Sequence, residues 1–148
     1  MIWVKAQGYT LVELIVVVTL MACLLGSIQI GMRGYEERQF SLAVREVEES
    51  IAYVRHAAVK TGRQYNIYCF TNRVLVRQGV EKPIYTIYLN DQIKIPADIT
   101  GKWIRFDGSM ASPKVGTVTL IHQGIKKQAD ITVNIATGKT TVKFKQLK

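Results

Sequence analysis

The sequence contains little proline, cysteine and histidine, and these shortages already exclude several kinds of protein. None of the three prolines precedes Pro83, so no proline interrupts helix formation in the long N-terminal stretch. The two cysteines, Cys23 and Cys69, supply neither a disulfide framework nor a zinc site, and we expect both to be small buried apolar residues. The two histidines, His56 and His122, have no serine or cysteine partner at a spacing typical of nucleophilic catalysis.

Motifs of catalysis and of cofactor binding are missing as well. The chain has no phosphate-binding loop, no glycine-rich dinucleotide signature and no cluster with metal-ligand spacing. Asp91, Asp98, Asp107 and Asp130 fall at loops or strand edges, where turn and capping roles account for them. We therefore predict that the protein is not an enzyme and binds no cofactor or metal.

Composition and charge divide the chain into unequal parts. With 148 residues, 48% hydrophobic and 21% charged, it is one domain with an appendage rather than a disordered or fibrous chain. Basic and acidic groups balance over 1–32 and over 33–61. The whole net charge of +9 therefore lies in 62–148, which raises the hypothesis of a polyanionic partner.

The N-terminal segment predicts a membrane-spanning helix. From Leu14 to Met32 the chain has 19 residues without charge or proline, and such a helix is about 28 Å long, roughly one hydrocarbon thickness. The run is apolar on all sides, which disfavours a helix buried by one stripe in a soluble core. No small-residue cleavage site follows it before Arg33, which disfavours an ordinary secretory signal.

A short motif precedes this helix. Gly8-Tyr9-Thr10-Leu11-Val12-Glu13 and the apolar run after it resemble the signal of type IV pilins and type II secretion pseudopilins, with Tyr9 where phenylalanine is commonest. The resemblance implies that a prepilin peptidase cuts after Gly8 and methylates the new amino terminus of Tyr9. It also implies that Glu13, then the fifth residue of the mature chain, takes part in filament assembly.

The spacing of this motif has a physical rationale. A terminal ammonium and a carboxylate buried among apolar helices are each costly alone and tolerable as a pair. Glu13 lies one helical turn after Tyr9, so we expect it to meet the ammonium of a neighbouring subunit. The first turn of a helix also favours a negative charge, so the alternative is a glutamate that serves only the helix start.

After Gly34 the pattern changes to that of an amphipathic helix. Its apolar stripe recurs at steps of four and three residues: Phe40, Val44, Val47, Ile51, Val54 and Ala58. Thr61-Gly62 supplies a stop with glycine as the C-cap, so the helix is predicted to run from about Tyr9 to Lys60. Because strands follow directly, the stripe is predicted to pack on a sheet rather than in a coiled coil.

From Arg63 onward, apolar residues alternate and turn residues punctuate the chain. The pattern predicts eight strands: Gln64–Phe70, Val74–Arg77, Ile84–Leu89, Ile93–Ile95, Trp103–Asp107, Thr117–His122, Asp130–Ile135 and Thr140–Lys145. Short strands with close turns indicate antiparallel pairing. The last two are predicted to form a hairpin through Thr137-Gly138, with Val142 and Phe144 pointing inward and Lys143 and Lys145 outward.

The later part of the chain resembles minor pseudopilins of the GspH, FimT and ComGD group. The resemblance lies in the helix end and first strand, the Gly116-Thr117 strand and the Thr137-Gly138-Lys139 hairpin. It implies an α+β, pilin-like fold: a long N-terminal helix, transmembrane in its first half, packed on an antiparallel β-sheet domain. The expected divisions are a leader (1–8), a transmembrane and filament-core helix (9–32), an amphipathic stalk helix (33–61) and the β domain (62–148).

This resemblance implies a minor subunit of a type IV pilus-like filament, serving DNA uptake in competence. Its implied partners are other pilins, the prepilin peptidase and an inner-membrane assembly platform. Its implied location is the cell membrane, crossed once, with the C-terminal domain exported and the filament extracellular or periplasmic. The alternatives are a minor pseudopilin of type II secretion, and a membrane-anchored β domain with no filament role.

The basic residues of the C-terminal part are candidates for binding DNA or another polyanion. The candidate residues are Arg63, Arg73, Arg77, Lys126, Lys127, Lys139, Lys143, Lys145 and Lys148. Lys143 and Lys145 share the outward face of the last predicted strand and form the best-placed pair. The alternative is a solvated positive surface attracted to anionic lipids or wall polymers.

Overall fold

A computed structural model describes residues 10–80, 83–108, 116–134 and 136–147. Its elements are one helix and eight strands: α1 (Leu11–Thr61), β1 (Tyr65–Phe70), β2 (Arg73–Gln78), β3 (Pro83–Tyr88), β4 (Ile93–Lys94), β5 (Trp103–Phe106), β6 (Thr117–His122), β7 (Lys127–Val133) and β8 (Thr140–Gln146). The chain divides into two compact units, Met1–Tyr35 and Glu36–Lys148.

The first unit contains the apolar start of α1. Side chains whose burial is described in this stretch, from Leu11 to Leu25, are all exposed. The large apolar ones among them range from 44% exposed at Val17 to 74% at Leu11. An exposed apolar surface of this extent marks a site of contact with a membrane or with another protein.

In the second unit, the amphipathic half of α1 buries the predicted stripe. All six stripe residues are at most 2% exposed: Phe40, Val44, Val47, Ile51, Val54 and Ala58. The helix ends at Thr61, where Gly62 adopts φ 65° and its N–H donates to the Ala58 carbonyl over 2.9 Å. The predicted stripe and the glycine C-cap are both confirmed.

The eight strands form two antiparallel sheets of four. The first sheet has the order β3-β2-β1-β5 and the second the order β4-β6-β7-β8. The predicted fold class, a long apolar N-terminal helix followed by antiparallel sheet, is confirmed, and the sequence pattern did not specify that the strands would divide into two sheets. The first sheet contains β1, β2, β3 and β5, whereas β4 pairs with β6 and belongs to the second sheet.

One core joins the helix to both sheets. Ile67 and Val76 of the first sheet and Leu120 and Ile131 of the second are fully buried, and they belong to the same apolar cluster as the helix stripe. Burial of such side chains stabilises the fold by about 1.5–3 kcal/mol each. The sheets are therefore held together by the helix face rather than by strand pairing.

Aromatic contacts show that the helix reaches both sheets. Tyr53 meets Tyr85 of β3 edge to face, with ring centroids 5.9 Å apart. Phe40 meets His122 of β6 in the same way at 5.8 Å.

The observed strand limits agree with the predicted ones to within one residue at each end, except in β7. That strand begins at Lys127 rather than Asp130, because Lys127 to Ala129 pair with both β6 and β8. The sequence of these residues is polar at its start, so its pattern did not indicate a strand. Ile135, assigned to the predicted strand, lies outside the described residues.

The predicted inward orientation of the apolar side chains of β8 is confirmed only in part. Val142 is partly buried against the core, whereas Phe144 is 57% exposed. The Phe144 ring does lie on the helix side, 6.3 Å from the Phe40 ring. It stays exposed because β8 is the edge strand of its sheet.

Candidate functional site

The start of α1 is organised by two residues of the N-terminal motif. The Glu13 N–H donates to Thr10 Oγ1 over 3.3 Å, and the Leu14 N–H donates to the Thr10 carbonyl over 3.2 Å. Thr10 is therefore the N-cap and Glu13 the third helical residue, the spacing of a capping box. The carboxylate of Glu13 lies in the first turn, as predicted, where the helix dipole favours it. Gly8 and Tyr9, the predicted cleavage and methylation residues, lie outside the described residues.

The segment after this cap suits a membrane. Within the described part of the chain, α1 is the one helix long and apolar enough to cross a bilayer, and its apolar window has no buried residue. The hydroxyl of Thr19 donates to the Ile15 carbonyl over 2.8 Å, so this polar group is satisfied within the helix. That arrangement matters in lipid, where no water replaces a missing hydrogen bond.

The two best-placed lysines of the predicted basic surface lie on the outward side of β8, but one of them is paired. Lys145 Nζ lies 2.7 Å from Asp130 Oδ2 in the neighbouring strand. Lys143 is exposed and stands in register with Asp130. The carboxylate thus offsets part of the positive charge of this pair.

Asp130 is held in its ionised form by its neighbours. Burial alone would raise the pKa of its carboxyl, but hydrogen bonds from Lys145, Gln128 and Thr119 outweigh it and lower the pKa below the usual 3.8. The Gln128 amide and the Thr119 hydroxyl both donate to Oδ1, over 2.8 and 2.9 Å. This network stabilises the second sheet. It also offsets the positive charge of Lys145, which would otherwise be available to an anionic ligand.

The other lysines of the predicted surface are dispersed. Lys127 turns to the helix side and pairs with Glu37 over 3.0 Å. Lys126 occupies the turn between β6 and β7 with φ 52°, whereas Lys139 lies at the opposite end of the β7–β8 hairpin, roughly 20 Å away at about 3.3 Å per residue. Lys148 lies outside the described residues. The structure therefore does not bring these lysines together on one face.

Neither histidine has the surroundings of a catalytic group. His122 is 2% exposed, and its Nδ1 accepts the Ile125 N–H over 3.3 Å, which fixes the turn after β6. His56 is exposed on α1. Across the described ranges, no group of three or more histidine, cysteine or acidic side chains is arranged to hold a metal ion.

The cysteines differ in environment. Cys69 is 2% exposed in β1, and burial raises the pKa of its thiol to about 11. Cys23 instead lies on the exposed apolar surface of α1, contrary to the expectation of burial.

Sequence reasoning named Arg73 and Arg77 as candidates but missed the ordered surface to which they belong, the outward side of the first sheet. Arginine and aromatic residues alternate there with buried residues, as in Tyr68 and Phe70 of β1 and Trp103 and Arg105 of β5. The signal that predicts this surface is the period of two with large aromatics at the outward positions. That signal can be interpreted only when the order of strands in the sheet is known.

Comparisons with known proteins agree with this architecture. Residues 3–28 match the model of the prokaryotic N-terminal methylation motif. No curated protein sequence gives a significant match.

Two crystal forms of the type IV minor pilin FimU from Pseudomonas aeruginosa have a similar structure. The TM-scores are 0.55 and 0.58 at 12% sequence identity, over 70% and 73% of this chain and 91% and 90% of the crystallised one. At this identity the similarity concerns the fold. The chain thus combines the N-terminal methylation motif of type IV pilins with the fold of a type IV minor pilin.

Proposed function

We propose that this protein is a minor pilin or pseudopilin, cut after Gly8 by a prepilin peptidase, methylated on Tyr9 and assembled into a type IV pilus-like filament. The observation that carries the proposal is the start of α1, where a Thr10–Glu13 cap opens an apolar segment whose described side chains, from Leu11 to Leu25, are all exposed. Before assembly, the membrane covers this helix. In the filament, equivalent helices of other subunits cover it, with the C-terminal domain on the outside.

Glu13 has a specific part in this proposal. Its carboxylate stands at the third helical position, four residues along the sequence from Tyr9, where the mature chain would begin. The ammonium of a neighbouring subunit compensates the carboxylate, and neither charge is then buried alone. The pair also sets the axial register between adjacent helices, because it forms at one relative height only.

The test expresses the full chain with a prepilin peptidase and the remaining filament subunits. Mass spectrometry of the wild-type protein is expected to show loss of residues 1–8 and gain of one methyl group, and Gly8→Asp is expected to abolish cleavage. Glu13→Gln is expected to be cleaved normally and to be missing from sheared filaments. Glu49→Gln serves as the matched control, because Glu49 is an exposed helix glutamate paired with Arg45 on the same helix.

Two results would contradict the proposal. One is an intact N-terminus in cells that process their other pilins. The other is incorporation of Glu13→Gln into filaments at the level of Glu49→Gln.

Within this function, we propose a role in DNA uptake by a competence filament, with the C-terminal domain exported. The excess of basic groups in 62–148 supports it, since a polyanion is attracted over long range to such a domain. The alternative is a minor pseudopilin of type II secretion. A deletion strain separates the two: loss of transformation with normal protein secretion supports the first, and the reverse supports the second. The third hypothesis is a membrane-anchored chain with no filament role. The filament assay identifies this case, because such a chain is missing from sheared filaments.

A further inference from the structure

The outward side of the first sheet carries an ordered set of arginine and aromatic side chains, here termed the arginine–aromatic face. Its members are Tyr68, Phe70, Arg73, Arg77, Tyr88, Trp103 and Arg105. They occupy alternate positions of β1, β2, β3 and β5, and the intervening residues, such as Ile67, Val74 and Ile104, are buried in the core. The face belongs to the second unit alone.

Strand register arranges these side chains in rows across the sheet. Phe70 stands opposite Arg73, and Arg73 stands opposite Tyr88. In the next row Tyr68 stands opposite Trp103, with ring centroids 6.2 Å apart and planes inclined by 30°. Two rows of rings thus run across neighbouring strands, at the side-chain spacing of a sheet.

Each arginine of the face lies against one of the rings. The guanidinium carbon is 5.1 Å from the ring centre in Arg73–Phe70, 5.9 Å in Arg77–Tyr68 and 5.8 Å in Arg105–Trp103. Such cation–π contacts hold flexible side chains in place. Less side-chain entropy is then lost when a ligand binds.

Two arginines of this face, Arg73 and Arg77, differ from the lysines of the second sheet in their charged neighbours. Among the described residues, no carboxylate lies within ion-pair distance of Arg73 or Arg77, in contrast to Lys127 and Lys145. The Arg77 Nε is buried and has no hydrogen-bond partner in the described part of the chain. Tyr88, beside Arg73, is 74% exposed and presents its ring to solvent. The face therefore combines positive charge with accessible ring surface.

We propose that the arginine–aromatic face binds single-stranded polynucleotide, with Arg73 and Arg77 contacting phosphates and bases stacking on Tyr88 and Trp103. Surfaces that combine a positive track with stacking rings bind single strands with little sequence preference. A duplex satisfies only the charge, because its base faces are stacked inside the helix. An acidic peptide likewise offers carboxylates but no planar groups for the rings.

The inference deepens the proposed role in DNA uptake but does not depend on filament assembly. Binding is measured on the purified chain, whereas processing and incorporation are measured in cells. A failure of one is therefore distinguishable from a failure of the other.

The test uses the full chain in detergent with Trp3→Phe, which leaves Trp103 as the single tryptophan. Oligothymidylate of about 16 nucleotides, the upper range of single-strand site sizes, is titrated at several salt concentrations. We expect quenching of Trp103 fluorescence together with binding that weakens as salt is added. A duplex of equal charge is expected to quench less.

Two sets of variants locate the site. The double change Arg73→Gln with Arg77→Gln is expected to weaken binding about tenfold or more. It should also reduce the slope of log K against log salt by about 1.4, because each of the two lost phosphate contacts contributes about 0.7. Tyr88→Ala changes an exposed residue outside the core and is expected to weaken binding about fivefold or more by loss of stacking. Lys143→Gln with Lys145→Gln removes the same charge from the other sheet and is the matched control.

Three outcomes would overturn the inference. The first is a loss of affinity in the lysine control equal to that in the arginine variant. The second is binding without any change in Trp103 fluorescence. The third is equal competition by polyglutamate, which would identify an acidic protein as the ligand. Circular dichroism shows whether each variant is folded. If the double arginine variant fails to fold, the single changes Arg73→Gln and Tyr88→Ala, both at exposed residues, still test the inference.

Discussion

Replacement of Asp130 by asparagine gives the sharpest test of how the second sheet is stabilised. The carboxylate accepts hydrogen bonds from three side chains: Lys145 on Oδ2, and Gln128 and Thr119 on Oδ1. Asparagine has nearly the same shape and keeps one oxygen acceptor. The substitution therefore removes the charge while leaving the packing almost unchanged.

The expected loss at neutral pH is about 1–2 kcal/mol of unfolding free energy. The Asp130 side chain is 14% exposed while that of Lys145 is 60% exposed, so the ion pair itself contributes at most about 1 kcal/mol. The remainder comes from weaker hydrogen bonds, since a charged acceptor contributes about 1.5–3 kcal/mol and a neutral one about 0.5–1.5 kcal/mol. Lys145→Gln is accordingly expected to cost less than about 1 kcal/mol.

The pH dependence identifies the charge as the cause. Because the folded-state pKa of Asp130 is lowered, its contribution is fully present above the usual 3.8 and is lost as the pH falls through the folded value. The difference between wild type and Asp130→Asn should thus be constant near neutrality and shrink below pH 3.8.

Urea unfolding of the full chain with Trp3→Phe in detergent, followed by Trp103 fluorescence and circular dichroism, measures this difference. Asp98→Asn is the control, because Asp98 is exposed in a turn. An equal destabilisation by Asp130→Asn at pH 7 and at about pH 2.5, which lies below the pKa of aspartate in an unfolded chain, would refute the reasoning. So would an effect of Asp98→Asn as large as that of Asp130→Asn.

Two further predictions concern the core. Ile51→Ala is expected to lower the free energy of unfolding by about 2–5 kcal/mol, because Ile51 is fully buried. Leu42→Ala, on the same helix at a site 52% exposed, should lower it by less than about 1 kcal/mol. Equal effects of the two changes in urea unfolding would contradict the assigned helix face. Burial raises the pKa of the Cys69 thiol to about 11, so we expect this thiol to resist alkylation at pH 8 until the protein is unfolded. Mass spectrometry measures the labelling, and rapid labelling of the native protein would contradict the burial of Cys69.

The Thr10–Glu13 pair links local structure to the proposed assembly. The same threonine and glutamate that fit the pilin signal also form the helix cap, with the Glu13 N–H bonded to the Thr10 hydroxyl. A helix that begins within the motif keeps the Glu13 carboxylate near the start of the proposed mature chain. The motif therefore serves the helix geometry whether or not the neighbour's ammonium is present.

Local patterns in the sequence determined much of this protein. The apolar segment without charge, the buried stripe from Phe40 to Ala58, the stop at Gly62 and most strand limits follow from residue type and period alone. They do so because a helix face or a strand side is set by neighbours three, four or two residues away. The methylation signal is likewise contiguous.

Only the tertiary structure decided which strands share a sheet and which charges meet. The pairing of β4 with β6 assigns β4 to the second sheet, and the Lys145–Asp130 contact depends on the register of β7 with β8. The arginine–aromatic face likewise exists only because β5 returns to the free edge of β1, which places Trp103 beside Tyr68. Such contacts join residues far apart in the chain, and their energies depend on pairing and burial that no local period encodes.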